Sequence, residues 1–140
     1  GLEWMLGCDL ALMADDARFF FPEIELGLFP TGAASTLLPH LVGLSKAKEL
    51  LLLGERHDAR QALALGLVNR VVANEELLGT ARGIAERVSR LPPLARRNTK
   101  HVLNRAFRES LTNAMARETE ATIAGFMDPD TADRVSGRLA

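Results

Sequence analysis

The segments GLEWMLGCDL (residues 1–10) and FFFPEIELGLFPTGAAS (residues 19–35) each place a glutamate, Glu3 and Glu23, in an apolar neighbourhood. Removing a carboxylate from water is unfavourable unless the group is paired, hydrogen-bonded or protonated. Glu3 is therefore either an exposed residue on a surface helix or an acid tuned by its surroundings. Glu23 is either a helix N-terminal residue that favours the helix dipole or the second member of an acid pair.

The composition is that of a soluble globular protein. The 140 residues are 47% hydrophobic and 25% charged, which suits one domain or part of one. With 17 basic and 18 acidic residues the net charge is −1, so neither nucleic acid nor a membrane is expected as a partner. No apolar run approaches the roughly 20 residues that span a bilayer. The single cysteine, Cys8, excludes an internal disulfide and favours a reducing, cytoplasmic location.

The beginning of the chain has the pattern of an internal segment. Gly1 stands in place of a methionine, and no N-cap residue precedes the apolar positions of GLEWMLG (residues 1–7). We therefore expect further residues upstream, and any targeting peptide would lie among them.

Short strands and a loop are predicted near the two glutamates. Apolar runs bounded by acidic residues or proline indicate strands at residues 9–15 and 17–21, and LVNRVV (residues 67–72) indicates a third. Glycine and proline punctuate a loop over residues 27–32. The following segment, TGAASTLLPHLVG, predicts a helix that bends or ends at Pro39.

The remaining segments are predicted to be helices, and their capping residues set the boundaries. The predicted helices run from Ser45 to Gly54, from a capping box of Asp58 and Gln61 to Gly66, over residues 75–90 with Asn74 as N-cap, from Pro92-Pro93 to about Arg108, over residues 110–126, and from Asp130 with Asp133 to the end. The chain is thus mixed in its first half and helical in its second.

Two glycine- and serine-containing patterns do not fit the sites they suggest. Gly27 and Gly32 have the spacing of a phosphate loop, but Ala33 stands where such a loop needs a lysine. Ser35 lacks the G-x-S-x-G surroundings of a nucleophile and is expected to be a helix residue.

Histidine and basic residues give no strong signal either. His40, His57 and His101 share no metal-ligand spacing with one another or with Cys8, so each is expected to be a surface or hydrogen-bonded core residue. The basic run RRNTK (residues 96–100) is typical of a solvated helix face, with contact to an anionic ligand group as the alternative.

A series of short motifs follows one another along the chain. In order they are GLE-x-x-x-x-CDL, ARF-x-x-PE-x-x-LGL-x-P, LP-x-LVG and A-x-x-LGLVN-x-VV. Each is modest alone, but the whole series at this spacing resembles the crotonase superfamily, the enoyl-CoA hydratases and isomerases. The resemblance extends from Gly1 to about Val135.

The resemblance implies an α/β, crotonase-like (ClpP/crotonase) fold, of which this chain would be the C-terminal half. Residues 1–73 would form the last part of the ββα spiral core. Residues 74–140 would form the helical C-terminal region that mediates trimerisation in relatives, so a homotrimer or a dimer of trimers is expected.

By the same resemblance, Glu3 and Glu23 match the two catalytic acids of a hydratase. The residue at Glu3 helps to activate the water that adds to Cβ, and the residue at Glu23 exchanges the proton at Cα. This addition builds enolate charge on the thioester oxygen, which backbone N–H donors stabilise while the acids move protons. One of two carboxylates in an apolar pocket is expected to be protonated.

The resemblance also implies substrate contacts at Gly1, Leu28, Pro30 and Thr31. Gly1 matches the last glycine of the oxyanion-hole stretch, and both N–H donors are expected upstream of it. Thr31 opens the segment TGAA, which replaces the usual glycine-rich run, so its Cβ atoms should narrow the loop beside the acyl group. Relatives with other chemistries often carry an acid at the position of Thr31, and its absence favours hydration or simple double-bond migration.

The expected function of the intact protein is enoyl-CoA hydration, with acyl-CoA as substrate and no metal or organic cofactor, since coenzyme A is part of the substrate. A Δ3,Δ2-enoyl-CoA isomerase needs only one carboxylate, and the presence of both Glu3 and Glu23 weighs against it. The alternative that is not an enzyme is a truncated, non-catalytic module that oligomerises. The chain taken alone is expected to be inactive.

Overall fold

The computed structural model describes residues 1–105, 108–127 and 129–139. Its elements are α1 (Leu2–Leu6), β1 (Leu12–Ala14), β2 (Arg18–Phe19), a 3₁₀ helix (Glu23–Leu26), α2 (Ala34–Val42), α3 (Leu44–Leu53), β3 (His57–Asp58), α4 (Ala59–Ala64), β4 (Arg70–Val72), a second 3₁₀ helix (Asn74–Glu76), α5 (Leu77–Ser89), α6 (Pro93–Arg105), α7 (Arg108–Met127) and α8 (Pro129–Leu139).

The strands form two small sheets. β1 and β4 pair in parallel, with Ala14 opposite Val72. β2 and β3 pair antiparallel, with Phe19 opposite His57, and the rings of these two residues stack at 5.1 Å between centroids. β3 was not expected from the sequence, because two residues are too few to show the alternation of a strand.

The predicted strands at 9–15, 17–21 and 67–72 are confirmed within narrower bounds. The flanking residues form turns and isolated hydrogen bonds instead of ladder pairs. Asn69, for example, donates its backbone N–H to the carbonyl of Ala11 at 2.8 Å, and its side-chain oxygen accepts the Ala11 N–H at 2.8 Å. These bonds fix the register of β1 against β4 just before the ladder begins.

The apolar core lies among the first four helices and the strands. Leu38 of α2 is fully buried, and Leu50 of α3 is nearly so. The buried core residues are Leu6, Phe19, Phe21, Ala34, Leu38, Ala47, Leu50, Ala62, Leu67 and Val68. Their spacing of three or four residues within α2 and α3 places each set on one helix face, which is why these helices pack together.

The start of α3 differs from the prediction, and α2 does not end at Pro39. α2 continues past Pro39 to Val42, because proline removes only one intrahelical hydrogen bond and the Pro39 carbonyl still accepts the Gly43 N–H at 2.9 Å. α3 begins at Leu44 with Gly43 as N-cap, so Ser45 lies inside the first turn and is not the cap. The predicted end of α3 at Gly54 is confirmed, with a left-handed φ of 62°.

The start of α4 is the capping box that the sequence predicted. Asp58 accepts the Gln61 N–H at 2.8 Å, and the Gln61 side chain accepts the Asp58 N–H at 2.8 Å. Asn74, in contrast, does not cap α5. It begins the second 3₁₀ helix, and its side-chain amide donates to Asp16 at 3.3 Å.

The helices after that point pack in a different way from the first four. α5 contributes no buried residue, and residues 93–104 of α6 are all exposed. α7 contacts α2 and α8, and α8 contacts the first 3₁₀ helix. α8 begins at Pro129, as predicted to within a residue, and the proposed cap by Asp130 lies outside the described side chains. In the described part of the chain, no helix combines the length and the apolar character needed to cross a membrane.

Candidate active site

Glu3 lies in the first turn of α1, and Thr31 binds its carboxylate. The Thr31 backbone N–H donates to Oε1 at 2.5 Å, and the Thr31 hydroxyl lies 3.0 Å from Oε2 and 3.2 Å from Oε1. The carboxylate is half-buried, and both of its oxygens take part in this contact. Glu3 is therefore fixed in orientation by a residue 28 positions away in the sequence.

The loop that carries Thr31 approaches the backbone of α1 closely. Gly32 has φ of 65°, and a Cβ added to it would lie 3.1 Å from the Cβ of Glu3. Both the left-handed conformation and the close approach favour glycine at this position. Ala33 follows with φ of 63°, an uncommon conformation for a residue with a side chain. Hydrogen bonds to Glu3 of α1 and to a side chain of α7 hold the segment in this shape.

Glu23 is the first residue of the 3₁₀ helix, and its environment differs from that of Glu3. Its Oε2 atom is buried and has no hydrogen-bond partner among the described residues. Desolvation by burial raises the pKa of Glu23, and the negative charge of Glu3 acts in the same direction. The hydrogen bond from its own backbone opposes the shift but is outweighed.

The fold thus brings the two predicted acids together. The charge of Glu3 contributes to the raised pKa of Glu23, so the two carboxylates lie near each other although their positions differ by 20 in the sequence. One of them is oriented as a hydrogen-bond acceptor, and the other carries an unpaired, desolvated oxygen. Such a pair can take a proton at one group and give a proton at the other.

The other predicted site residues occupy more varied positions. Gly1 is exposed, and its carbonyl accepts the Met5 N–H at 3.1 Å. Pro30 is buried, whereas Thr31 is exposed apart from its contact with Glu3. Leu28 is half-buried and lies against Gly125 of α7. The substrate contacts that the resemblance implies for these four residues stay predictions.

One residue beside the site was not predicted from the sequence. Glu118 of α7 is only 2% exposed, and its carboxylate accepts the N–H of Ala33 at 2.6 Å, the N–H of Ser35 at 2.8 Å and the hydroxyl of Ser35 at 2.6 Å. The sequence holds one indication of this contact, because the N-cap residue of α2 is an alanine, which has no polar side chain. A helix without a polar cap of its own needs an acceptor from elsewhere.

Ser35, the possible metal ligands and the basic run gave no strong functional signal in the sequence. Ser35 lies in α2, as expected. Among the described residues, no three His, Cys, Asp or Glu side chains are arranged to hold a metal ion. In the basic run, Arg96 donates to the carbonyls of Val88 and Ser89, and Lys100 forms an ion pair with Asp9.

Comparisons with known proteins point in one direction. A family profile described as enoyl-CoA hydratase/isomerase matches residues 1–133. A probable enoyl-CoA hydratase of Mycobacterium bovis is 37% identical over 133 residues, which cover 95% of this chain and 52% of that protein. The short-chain-enoyl-CoA hydratase of Clostridium acetobutylicum is 35% identical over 136 residues, covering 97% of this chain and 52% of that protein.

The fold has solved counterparts as well. The crystal structure of an enoyl-CoA hydratase/isomerase from Pseudoalteromonas atlantica T6c matches with a TM-score of 0.94 and 33% identity, over 99% of this chain and 56% of that one. The chain spans about half the length of the curated relatives it matches.

Proposed function

The chain belongs to the enoyl-CoA hydratase/isomerase family, and from this we propose that the protein adds water across the α,β-double bond of an enoyl-CoA thioester, with Glu3 and Glu23 as its acid–base pair. The fold is the predicted α/β, crotonase-like fold, present here in part. The contrast between the two carboxylates carries the proposal. Thr31 orients one of them, and the other has a desolvated oxygen and a raised pKa.

Glu23 is suited to act as the general acid. A carboxyl with a raised pKa keeps its proton to higher pH, and an oxygen without a partner can present that proton to a substrate carbon. In hydration this proton goes to Cα of the enoyl group. Burial, the largest cause of the raised pKa, would become stronger once an acyl chain displaces water from the site.

Glu3 is suited to act as the general base. Its carboxylate is held by the Thr31 N–H and hydroxyl, so it can accept a proton from a water molecule with little loss of orientation. The water oxygen then bonds to Cβ while Glu23 donates to Cα. One proton is taken and one is given, so transfer from Glu3 back to Glu23, directly or through solvent, resets the pair.

The reaction as proposed needs no metal or organic cofactor. Carboxylates move both protons, and backbone N–H donors, expected upstream of Gly1, stabilise the enolate charge. Coenzyme A enters as part of the substrate. We therefore expect activity to survive treatment with a chelator. A trimeric assembly and a cytoplasmic location complete this proposal and rest on the family resemblance.

The direct test replaces each acid by its amide in the protein expressed from its complete coding sequence. Glu23→Gln and Glu3→Gln should each lower kcat for crotonyl-CoA hydration by about two to four orders of magnitude, because each removes a proton transfer. Glu25→Gln, an exposed acid two residues from Glu23, is the matched control and should retain activity. Hydration at the wild-type rate in either amide variant of the pair would sink the proposal.

The same variants distinguish hydration from isomerisation. A Δ3,Δ2-enoyl-CoA isomerase moves one proton with one carboxylate. If the protein isomerises a 3-enoyl-CoA, and Glu3→Gln retains that activity while Glu23→Gln loses it, the isomerase assignment replaces the hydratase. The hydrogen bonds from Thr31 orient the Glu3 carboxylate, and only the two-acid reaction uses that carboxylate, so they favour hydration.

Thr31 has two proposed roles that two substitutions separate. If its side chain narrows the acyl site, Thr31→Gly raises kcat/KM for long relative to short acyl-CoAs, and Thr31→Val leaves that ratio unchanged. If its hydroxyl orients Glu3, both substitutions lower kcat by up to about tenfold, which is the value of one hydrogen bond. The backbone N–H of Thr31 still binds Glu3 in both variants.

The 140-residue chain by itself is proposed to associate and to be inactive. Large apolar side chains are exposed on it, including Trp4 at 87% and Leu78 at 61%, and such surfaces favour association. By the family resemblance the oxyanion donors come from other residues, and the lack of each one would cost about 10²–10³ in rate. Sedimentation and a hydration assay on the isolated chain test this, and a stable, active monomer would contradict it.

A further inference from the structure

Glu118 is a buried carboxylate that accepts hydrogen bonds from three donors among the described residues. Its three donors are the Ala33 N–H, the Ser35 N–H and the Ser35 hydroxyl, all within 2.8 Å. A buried charge of this kind is stable only when it is paired or fully hydrogen-bonded. The positive end of the α2 dipole adds a further favourable interaction. Glu118 thus serves as the N-cap that α2 lacks in its own sequence.

The segment that Glu118 holds is the one that contacts Glu3. Thr31 lies two residues before Ala33, and its N–H and hydroxyl bind the Glu3 carboxylate. Gly32, between them, lies so close to Glu3 that an added Cβ would be 3.1 Å away. A shift of Ala33 therefore moves Thr31, and with it the only partner that the described residues provide for Glu3.

Helices α7 and α8 also contact the beginning of this segment. Gly125 of α7 lies against the carbonyl of Gly27 and the side chain of Leu28. Thr131 of α8 is fully buried, and its hydroxyl lies 3.4 Å from the carbonyl of Gly27. The segment over residues 27–35, which ends in the first turn of α2, is therefore held at its beginning by α7 and α8 and at its end by Glu118 of α7.

We propose that Glu118 is a positioning residue, which acts through Ala33, Ser35 and Thr31 to orient the Glu3 carboxylate for proton transfer. It touches neither reacting atoms nor Glu3 itself. The proposal rests on the proposed function of Glu3 and extends it to a residue on a helix far along the chain. Small displacements of a catalytic group are costly, because a misplacement of about 1 Å can lower a rate by about 10²-fold.

The test uses Glu118→Gln in the protein expressed from its complete coding sequence. The amide keeps the size of the side chain but turns an N–H donor towards one of the donors that the carboxylate now satisfies. Glu120→Gln, exposed and on the same helix, is the matched control. Glu118→Gln should lower kcat for crotonyl-CoA hydration by about 10- to 100-fold with little change in KM, whereas Glu120→Gln should change neither.

A double-mutant cycle separates positioning from a general structural defect. In the Glu3→Gln background the group to be oriented is already lost, so adding Glu118→Gln should change the residual kcat by less than about twofold. An equal loss of rate in both backgrounds overturns the proposal, as does a wild-type kcat for Glu118→Gln alone.

A readout without catalysis keeps the proposal testable if the protein does not hydrate enoyl-CoA. Amide hydrogen exchange should become faster at Thr31, Ala33 and Ser35 in Glu118→Gln, while α4 and its capping box keep the wild-type rate. Unchanged exchange at Thr31 overturns the positioning role, whatever the enzyme assay gives. If the wild-type protein shows no enoyl-CoA hydratase activity but the exchange rates change as expected, only the proposed function is overturned.

Discussion

The first 68 residues and the helices after Asn74 are held in place by different chemistry. Nearly all buried apolar side chains, from Leu6 to Val68, belong to the first region. In the second region, α5 buries no residue, and the buried residues of α7 and α8 among those described are polar, namely Glu118 and Thr131. The first region folds around an apolar core, whereas the second region contacts it through hydrogen bonds at residues 27–35, the ion pair of Lys100 with Asp9 and the packing of α5 against β1.

This difference shows which part of the molecule sets the shape of the site. The apolar core fixes α2 and α3 with respect to the strands, since burial of large side chains is the dominant stabilising term. The segment beside Glu3 buries only small apolar residues, Pro30, Ala33 and Ala34, and the Glu118 carboxylate of α7 binds its backbone. We therefore expect core substitutions to change stability, and substitutions at the polar contacts to change the site.

The largest effect should come from truncating the core. Leu38→Ala is expected to lower the free energy of unfolding by about 2–5 kcal/mol, because Leu38 is fully buried and its loss leaves a cavity. Leu78→Ala in α5 makes the same chemical change at a side chain that is 61% exposed and should stay within about 0.5 kcal/mol of wild type. Urea denaturation of both variants checks this, and equal losses would refute the contrast between the regions.

The core was also the part of the fold that the sequence predicted best. Glycine, proline and capping residues indicated α2, α3 and α4, and the glycine after α3 and the capping box of Asp58 and Gln61 lie as predicted. These signals are local, so a sequence contains them directly. The N-caps assigned to Ser45 and Asn74 were wrong, because α3 already begins at Leu44 with Gly43 as its N-cap and the Asn74 side chain donates to Asp16 instead of capping α5.

A smaller effect is expected where the two regions meet at Gly27. Gly27 has φ of 75°, and a Cβ there would overlap the Thr131 hydroxyl. Gly27→Ala should lower the free energy of unfolding by about 1–3 kcal/mol, from backbone strain together with this overlap. The exposed Gly79 of α5, where a Cβ meets no neighbour, is the control position, and Gly79→Ala should be neutral or slightly stabilising.

A second substitution divides that loss into its two parts. Thr131→Ala removes the overlapping hydroxyl, so the double variant Gly27→Ala with Thr131→Ala should recover part of the loss and leave the strain. Strict additivity of the two single changes would show that α8 does not pack on the loop at this point. Urea denaturation measures both quantities.

The candidate site was predicted less completely than the core. Glu3 and Glu23 were proposed as site residues because acids in apolar segments are unusual and because their motifs resemble a known family. Glu118 was not found, since its role depends on a contact across more than 80 residues and α7 shows no distinctive motif around it. Thr31 was assigned to the acyl group, and the structure shows in addition that it binds Glu3. Contacts that join distant segments leave no periodic signal in a sequence.

The smallest effect concerns pH and the one carboxylate of the first region with an unpaired buried oxygen. The pKa of Glu23 is raised on folding, mainly by burial, so the folded protein binds its proton more tightly than the unfolded chain does. The stability associated with that proton is fully present below pH 4.5 and is lost as pH rises through the raised value. Glu23→Gln has no such proton to lose. The Tm of Glu23→Gln should therefore increase relative to wild type as pH rises from below 4.5 to neutral. Calorimetry across this pH range measures the difference.

A Tm difference that does not change with pH would mean that water reaches Glu23 freely in solution, and the contrast between a desolvated Glu23 and a hydrogen-bonded Glu3 would no longer hold.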